Sequence, residues 1–499
     1  MAVPGKAVSE LAMVLPRTRV VDPSGLDPIV VDVTHDSRQC GKGILFVAIR
    51  GERFDGHEFV QSAVDLGSDA VCVDHEVGSG AAEMVVENTR TALGPLAASV
   101  HGDPSKSMNV IGVTGTNGKT TVTHYVEAMG RFLGLSTGLI GTIVTRIGDE
   151  SIESVHTTPE ASDFQRLLAM MRDRETQIVA VEVSSHALEM GRVASTRFGV
   201  AAFTNLSQDH LDFHGDMEAY RSSKKRLFDE YEIVHAVFNI DDVTGREFAN
   251  AYSGVKTSVG SDGDVSIASV HPHLETTSFD LRSPWGSASI SASVVGRFNV
   301  DNAVMAATCL LASGTPFDDV ANALESLSGV PGRYELISGD DPIRVVVDYA
   351  HTPVAIEEAL EAARELGSGR VLALIGAGGD RDRGKRPLMG EVISAADIAI
   401  ITSDNPRSED PAEIIASIVA GLDLRTDAVV ELDRVAAIDR AIELAEDGDV
   451  VLILGRGHEP MQEINGAFYP LDDRELARAA LERRRRSTDS GDDSGSMGL

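Results

Sequence analysis

Residues 109–121 read NVIGVTGTNGKTT. An apolar run of strand length passes directly into a glycine-rich turn, and the stretch that follows, 120–132, has helical spacing. Backbone N–H groups in such a turn, together with a helix N-terminus, face an anion. Gly115, Thr116, Asn117 and Gly118 are therefore expected to cradle phosphates. Lys119 would reach the terminal phosphates and Thr120 would turn its hydroxyl to Mg²⁺, with Thr121 beside it. The strict G-x-x-x-x-G-K-[ST] spacing asks for glycine where the chain has Val113, so this is a variant of the ATP-type loop.

Working outward, further apolar strands are predicted at 178–183, 201–206 and 236–240, alternating with helical stretches. That pattern predicts α/β architecture with a parallel sheet covered on both faces. Residues 263–295 alternate polar with apolar and predict an antiparallel appendage. After Arg333 the alternation is regular, with strands at 344–348, 370–376, 398–403, 428–432 and 450–455. It predicts a doubly wound, Rossmann-like domain without the dinucleotide fingerprint. Upstream, apolar runs at 28–33 and 44–49 and a helical stretch at 56–66 predict a small α/β unit, and the breakers HGDPSKSM at 101–108 predict a linker. Three domains are thus expected, at 1–105, 106–336 and 337–485, followed by a polar, disordered tail at 486–499.

The chain has 499 residues, with 44 Lys plus Arg against 77 Asp plus Glu, a net charge of −33. Such a surface repels phosphate backbones and anionic lipid heads, which argues against nucleic acid and membrane surfaces as partners. No stretch approaches the ~20 apolar residues of a membrane helix, and the N-terminus lacks the apolar core of a signal peptide. The three scattered cysteines, Cys40, Cys72 and Cys309, fit neither a disulfide framework nor a thiolate zinc site. A reducing cytoplasm is expected.

Glu182 ends the strand IVAVE, and a carboxylate at the carboxyl end of a parallel strand points into the ligand crevice, where it suits Mg²⁺. After the next strand, TNLSQDHLDFHGD (204–216) clusters Asp209, His210, Asp212 and His214. Histidine with carboxylate also suits zinc, but without nearby cysteine and beside a triphosphate site Mg²⁺ is favoured.

These motifs, with EVSSHAL (182–188), GRFNVDNA (296–303), VDYAHTP (347–353), GGDRDRGKRP (378–387), DNPR (404–407) and GRGHE (455–459), resemble the Mur ligase family over all three regions. The resemblance implies a peptide synthase. ATP phosphorylates a carboxylate, an amine attacks the acyl phosphate, and phosphate leaves. Lys119 and Thr120 match the family's phosphate and Mg²⁺ positions, and Glu182 and His210 its metal ligands. Lys224 matches the lysine that the family carbamylates, with Lys225 as a neighbouring confounder. Around the nucleotide the match implies Asn302 near adenine, Arg333 near the phosphates, Asp348 near the ribose and His351 in the same pocket. For a UDP-N-acetylmuramoyl dipeptide it implies Ser37, Thr157, Thr158, Ser184 and Arg192.

The resemblance implies that meso-2,6-diaminopimelate, rather than L-lysine, is added to the D-glutamate carboxylate. Asp404, Asn405, Pro406 and Arg407 follow the strand at 398–403, at the carboxyl edge of the third sheet. In the resemblance, Arg407 and Asn405 grip the distal group, Arg381 meets the other carboxylate, and Gly455 with Glu459 receives the distal ammonium. A monomer is expected. Two departures, Arg456 for the family's lysine and Ala377 for its common cysteine, fall outside the residues given the chemistry. Another Mur ligase, a folylpolyglutamate synthetase-like enzyme, an inactive homologue and a P-loop switch ATPase are the competing readings, and retention of Lys119, Glu182 and Lys224 disfavours the inactive one.

Overall fold

The computed structural model describes residues 4–51, 54–154, 156–273, 276–339 and 341–492. The phosphate-loop strand Asn109–Thr114 lies inside an eight-stranded sheet, flanked by Ile178–Glu182 on one side and Arg197–Phe203 on the other, both parallel to it. The sequence reads as continuous apolar runs because both faces are covered. One core layer packs Ile111 and Val113 against Val122, Val126 and Val304, the other packs Val110 against Phe164, Phe198 and Phe203. Glu232–Asn239 and Lys256–Val259 extend the sheet at one edge, and Thr137–Ile140 leads to an antiparallel hairpin at the other. The alternating segment forms an antiparallel three-stranded sheet, Ser266–Pro272, Thr277–Ser283 and Gly286–Ala292.

The third region carries its own core and a parallel sheet in which Val450–Leu454 inserts between Arg344–Asp348 and Val371–Ile375. Ile398–Ile401 and Ala428–Val430 complete that edge. Near the N-terminus the run at 28–33 splits into two strands. Ile29–Val30 pairs with Lys6–Ala7, whereas Asp32–Thr34 enters a separate five-stranded sheet beside Ile44–Val47. The helical stretch at 56–66 is a 3-10 turn, Gly56–Phe59, followed by the short helix Val60–Asp65.

The tail is a correction. The helix Asp473–Asp492 runs through the first part of the stretch expected to be disordered, and 493–499 lie outside the described residues. The helix is anchored just before that stretch, where Arg485 holds Asp341 bidentately at 2.7 and 2.6 Å and Arg484 donates to the carbonyls of Ile442 and Ala445. Those anchors supply what the missing apolar face does not. No helix among the described residues is long and apolar enough to cross a membrane.

Candidate functional site

The turn between Asn109–Thr114 and the helix Lys119–Phe132 requires its glycines. Gly115 has φ +149°, and a Cβ there would lie 1.9 Å from Thr204 Oγ1; Gly118 has φ +85°, and its Cβ would lie 2.4 Å from Asn302 Oδ1. Lys119 Nζ bends back to the carbonyls of Gly115 and Thr116 at 2.9 and 2.7 Å. Lys224 Nζ donates to the same Gly115 carbonyl at 2.7 Å and sits 4.4 Å from the centre of the Tyr220 ring. Two amines thus converge on one carbonyl beneath the loop.

Glu182 is fully buried, and its carboxylate is built into a hydroxyl network. Thr120 Oγ1 donates to Oε2 at 2.8 Å, Thr142 donates its N–H to Oε1 at 2.7 Å and its hydroxyl to Oε2 at 3.1 Å, and Arg333 reaches Thr120 Oγ1 at 3.0 Å. Adjacent hydroxyl and carboxylate oxygens form the donor set a hard cation such as Mg²⁺ prefers. His210, left-handed at φ +54°, presents its ring edge to His186, and burial pushes it down to about 3, so it stands as a neutral imidazole.

Burial, reinforced by the charge of Lys119, moves Lys224 well below the ordinary lysine range; Asp209 opposes this. Only 1% of Lys224 is exposed, whereas Lys225 pairs with Asp229 at the surface. The two adjacent lysines, indistinguishable by composition, are separated by environment.

A cavity of about 330 Å³ joins these groups. Its wall includes Thr116 to Thr121, Thr157, Glu182, Ser184, His210, Lys224, Asn302, Arg333, Asp348 and His351, drawn from both the central and third regions. The third region is held there by Asp209, which accepts from Lys385 Nζ at 2.9 Å and lies 3.4 Å from His351 Nε2, and by Gln208 donating to Asp382 at 3.1 Å. Arg333 lies over the Tyr349 ring at 4.3 Å. Asp348 accepts the N–H groups of Tyr334 and Ala350 at 2.6 and 2.7 Å, so it fixes the connection between regions as well as edging the cavity. Burial raises its carboxyl against the opposing charge of Arg333.

Of the remaining expected residues, Thr158, Arg192 and Ser37 lie outside the cavity wall. Thr158 supports the site from behind, donating to the Glu182 carbonyl at 2.6 Å, and Arg192 donates to the Thr158 carbonyl at 3.1 Å and to Glu160. Ser184 caps a short helix through Ala187 N–H. Ser37 opens a 3-10 turn in the N-terminal region, away from the cavity wall. Neither Asp212 nor His214 lines the cavity; His214 bonds Ser185 at 2.9 Å.

At the edge of the third sheet, Asn405 Nδ2 donates to Glu459 at 2.8 Å, and Arg407, at φ +52°, donates to the Gly379 carbonyl at 2.7 Å and pairs with Glu463 at 3.3 Å. Arg407 and Arg381 flank Gly378, whose Cβ would lie 2.8 Å from Arg407 and 3.7 Å from Arg381. Gly455, at φ +112°, would place a Cβ 2.8 Å from Asp404 Oδ2. Pro406 is buried beside them.

Arg456 is a second correction. It is fully buried within the cluster, donating to Asn405 Oδ1 at 2.9 Å and to the carbonyls of Met461 and Leu471, with Asp404 Oδ1 3.7 Å away. A guanidinium has enough donors to tie a turn to two later segments, which a single ammonium does less completely. Sequence reasoning also missed Thr142, Tyr220 and the Asp209–Lys385 pair, whose roles arise from contacts distant in sequence.

Models of the Mur ligase middle domain, the Mur ligase glutamate ligase domain and the Mur ligase family catalytic domain match residues 113–310, 332–457 and 30–103. The UDP-N-acetylmuramoyl-L-alanyl-D-glutamate–2,6-diaminopimelate ligase of Bacillus velezensis is 41% identical over 465 residues, covering 91% of this chain and 95% of its own. The chain belongs to the Mur ligase family. The Aquifex aeolicus protein of the same name is 42% identical over 453 residues, covering 91% and 94%. Among solved Mur ligases, a UDP-N-acetylmuramoyl-L-alanyl-D-glutamate–2,6-diaminopimelate ligase superposes with a TM-score of 0.68 at 31% identity, over 97% of this chain and 100% of that one. The Mur ligase MurF of Thermotoga maritima, solved with ADP, shares the fold with a TM-score of 0.64 at 19% identity, over 91% and 98%.

Proposed function

We propose that the protein is an ATP-dependent, ADP-forming ligase that adds meso-2,6-diaminopimelate to the D-glutamate carboxylate of UDP-N-acetylmuramoyl-L-alanyl-D-glutamate in peptidoglycan precursor synthesis. The observation that carries the reading is the cavity in which the phosphate loop, Glu182, Lys224 and Arg333 meet groups of the third region. The names of relatives 41–42% identical along nearly their whole length support the substrate pair. ATP lies along Gly115 to Thr121, with Lys119 toward the transferred phosphoryl group, Arg333 against its phosphates, Asn302 by the adenine, Asp348 by the ribose and His351 in the same pocket. Phosphoryl transfer to a carboxylate demands an electrostatic clamp more than covalent help, and cations aimed into a partly dry crevice supply it.

Lys224 fits carbamylation. A neutral amine is the form that attacks CO₂, giving N–COO⁻ and a released proton, and burial favours that neutral form. Mg²⁺ would be held by Thr120, Glu182, His210 and the carbamylated Lys224, where it would neutralise phosphate oxygens. The acceptor side is read at Ser37, Thr157, Thr158, Ser184 and Arg192. The amino acid is read at Arg381, Asp404 to Arg407, Gly455 and Glu459, with Arg407 and Arg381 as carboxylate partners. We divide the chain at 105 and 336, and place it in the cytoplasm as a monomer without a nucleic-acid partner, in keeping with its charge of −33.

An ADP-release assay with the UDP-dipeptide and a panel of amino acids tests the proposal. Turnover that requires both the acceptor and meso-diaminopimelate is expected. ADP release independent of the acceptor, or equal efficiency with L-lysine, would overturn it.

A further inference from the structure

The N-terminal sheet, remote from the phosphate loop, carries a second cluster of ligand-bearing side chains. Strand Ala70–Val73 ends at Asp74 and His75, and the 3-10 turn Gly56–Phe59 brings His57 against them. Asp55 Oδ1 caps that turn through the His57 N–H at 3.0 Å and also takes His57 Nδ1 at 2.6 Å. On the opposite side of the ring, the Asp74 backbone N–H donates to Nε2 at 3.2 Å. These two contacts together assign the proton to Nδ1 and the lone pair to Nε2.

That lone pair faces Asp74 Oδ1 at 3.1 Å. The same lone pair also receives the Asp74 N–H, and Oδ1 accepts from Arg50 Nη2 at 3.3 Å, so a cation between the two atoms would bind by replacing the N–H contact. The same oxygen is 2.5 Å from His75 Nδ1, and the two imidazoles stack with centroids 4.9 Å apart and planes 26° from parallel. One ligand atom from each of His57, Asp74 and His75 lies within 4.8 Å of the others.

We propose that His57 Nε2, Asp74 Oδ1 and His75 Nδ1 bind one divalent transition-metal ion of the zinc class, with solvent completing its coordination. Two imidazoles and one carboxylate suit zinc, nickel or copper, whereas Mg²⁺ selects all-oxygen surroundings. Asp55 is the partner such a site needs behind its histidine, a carboxylate that fixes ring orientation and makes the bound nitrogen more basic. Arg50 donates to Asp74 Oδ2 at 2.9 Å and more weakly to Oδ1 at 3.3 Å, so it steadies the carboxylate chiefly through the oxygen the metal does not use. The His75 side chain is 58% exposed, which gives the ion an entry path. A bound ion clamps the turn at 56–59 to the strand end. The cluster shares no residue with the ligase cavity, so the inference stands apart from the proposed activity.

The test uses the full chain with excess Mg²⁺ and ADP to occupy the phosphate site. Zn²⁺ is titrated against a chromophoric chelator, and Co²⁺ is followed through its visible bands. Wild type is expected to take one equivalent of Zn²⁺ that His75→Ala and Asp74→Asn both lose, while Asp55→Asn weakens it about ten- to a hundredfold. His75 is exposed, so the His75→Ala protein folds, and its unchanged ADP release checks this. Equal zinc stoichiometry and affinity in wild type and in His57→Ala/His75→Ala would overturn the site. So would an absence of zinc binding in wild type, which would make His57 an imidazolium held between two carboxylates.

Discussion

The phosphate crevice and the Asp404–Arg407 cluster both lie at the carboxyl ends of parallel strands, yet they hold their charged groups differently. In the crevice, Lys119 and Lys224 donate to backbone carbonyls, and burial works against both ammonium charges. In the third region the charges answer one another: Arg407 pairs with Glu463, Arg456 lies among Asn405, Asp404 and Glu459, and Glu459 accepts from Asn405. The first arrangement is poised for an anionic ligand. In the second, the amino-acid carboxylate we propose to bind there would displace a protein partner, so selectivity would come from exchange rather than from unmatched charge.

The largest break in that contrast is Lys224→Ala. Losing the buried amine, and the carbamate we propose it forms, should lower turnover by at least about a hundredfold, as loss of a transition-state electrostatic partner does. Short carboxylates should restore part of it. Steady-state ADP release reads both effects, and full activity of the variant would refute the role.

Next in size is Arg456→Met. It removes the guanidinium that lies 3.7 Å from the buried Asp404 and 3.9 Å from the partly exposed Glu459, and breaking such an arrangement costs up to about 3–5 kcal/mol. Urea unfolding of the third region should shift accordingly, while ADP binding to the phosphate loop changes little. An unshifted transition would show that the cluster is not held by Arg456.

Arg407→Ala probes exchange itself. A charge-assisted contact is worth ~1.5–3 kcal/mol, so the preference for meso-diaminopimelate over L-lysine should fall roughly ten- to a hundredfold in kcat/KM. A variant with the full preference would place selectivity elsewhere.

The contrast also explains what the sequence could reveal. The phosphate loop and Glu182 were legible because strand, turn and helix N-terminus are local, and their chemistry follows from a dozen consecutive residues. Arg456 was misread because its partners, Asn405, Met461 and Leu471, converge only when Val450–Leu454 inserts into the middle of its sheet, a crossover no local pattern encodes. Lys224 and Lys225 differ only in which side of the helix Met217–Glu230 meets Gly115. The helix Asp473–Asp492 reaches into the polar stretch at 486–499 from an anchored segment just before it, where Arg484 and Arg485 find distant partners that composition does not reveal. Asp209 was seen as part of a cluster, but its pairing with Lys385 joins two regions and leaves no local trace.

The smallest effect expected lies on the crevice wall and depends on pH. Glu358, on the helix Pro353–Leu366, has its carboxyl raised to about 7, first by burial and then by the charges of Asp301 and Asp348. Between its ordinary value near 4.5 and about 7, the folded protein keeps a proton that the unfolded chain has released. The folded state binds more protons across that window, so its stability falls as pH rises and the loss is complete above about 7. Glutamine imitates the protonated acid at every pH. Glu358→Gln should therefore match wild type near pH 4 and exceed it at pH 8 by ~1–2 kcal/mol, less than the full shift implies because solvent still reaches the side chain. Thermal midpoints of both proteins at the two pH values read the difference. An equal offset at both would mean that Glu358 ionises as an ordinary surface acid, and that the crevice holds its carboxylates no less comfortably than the third region does.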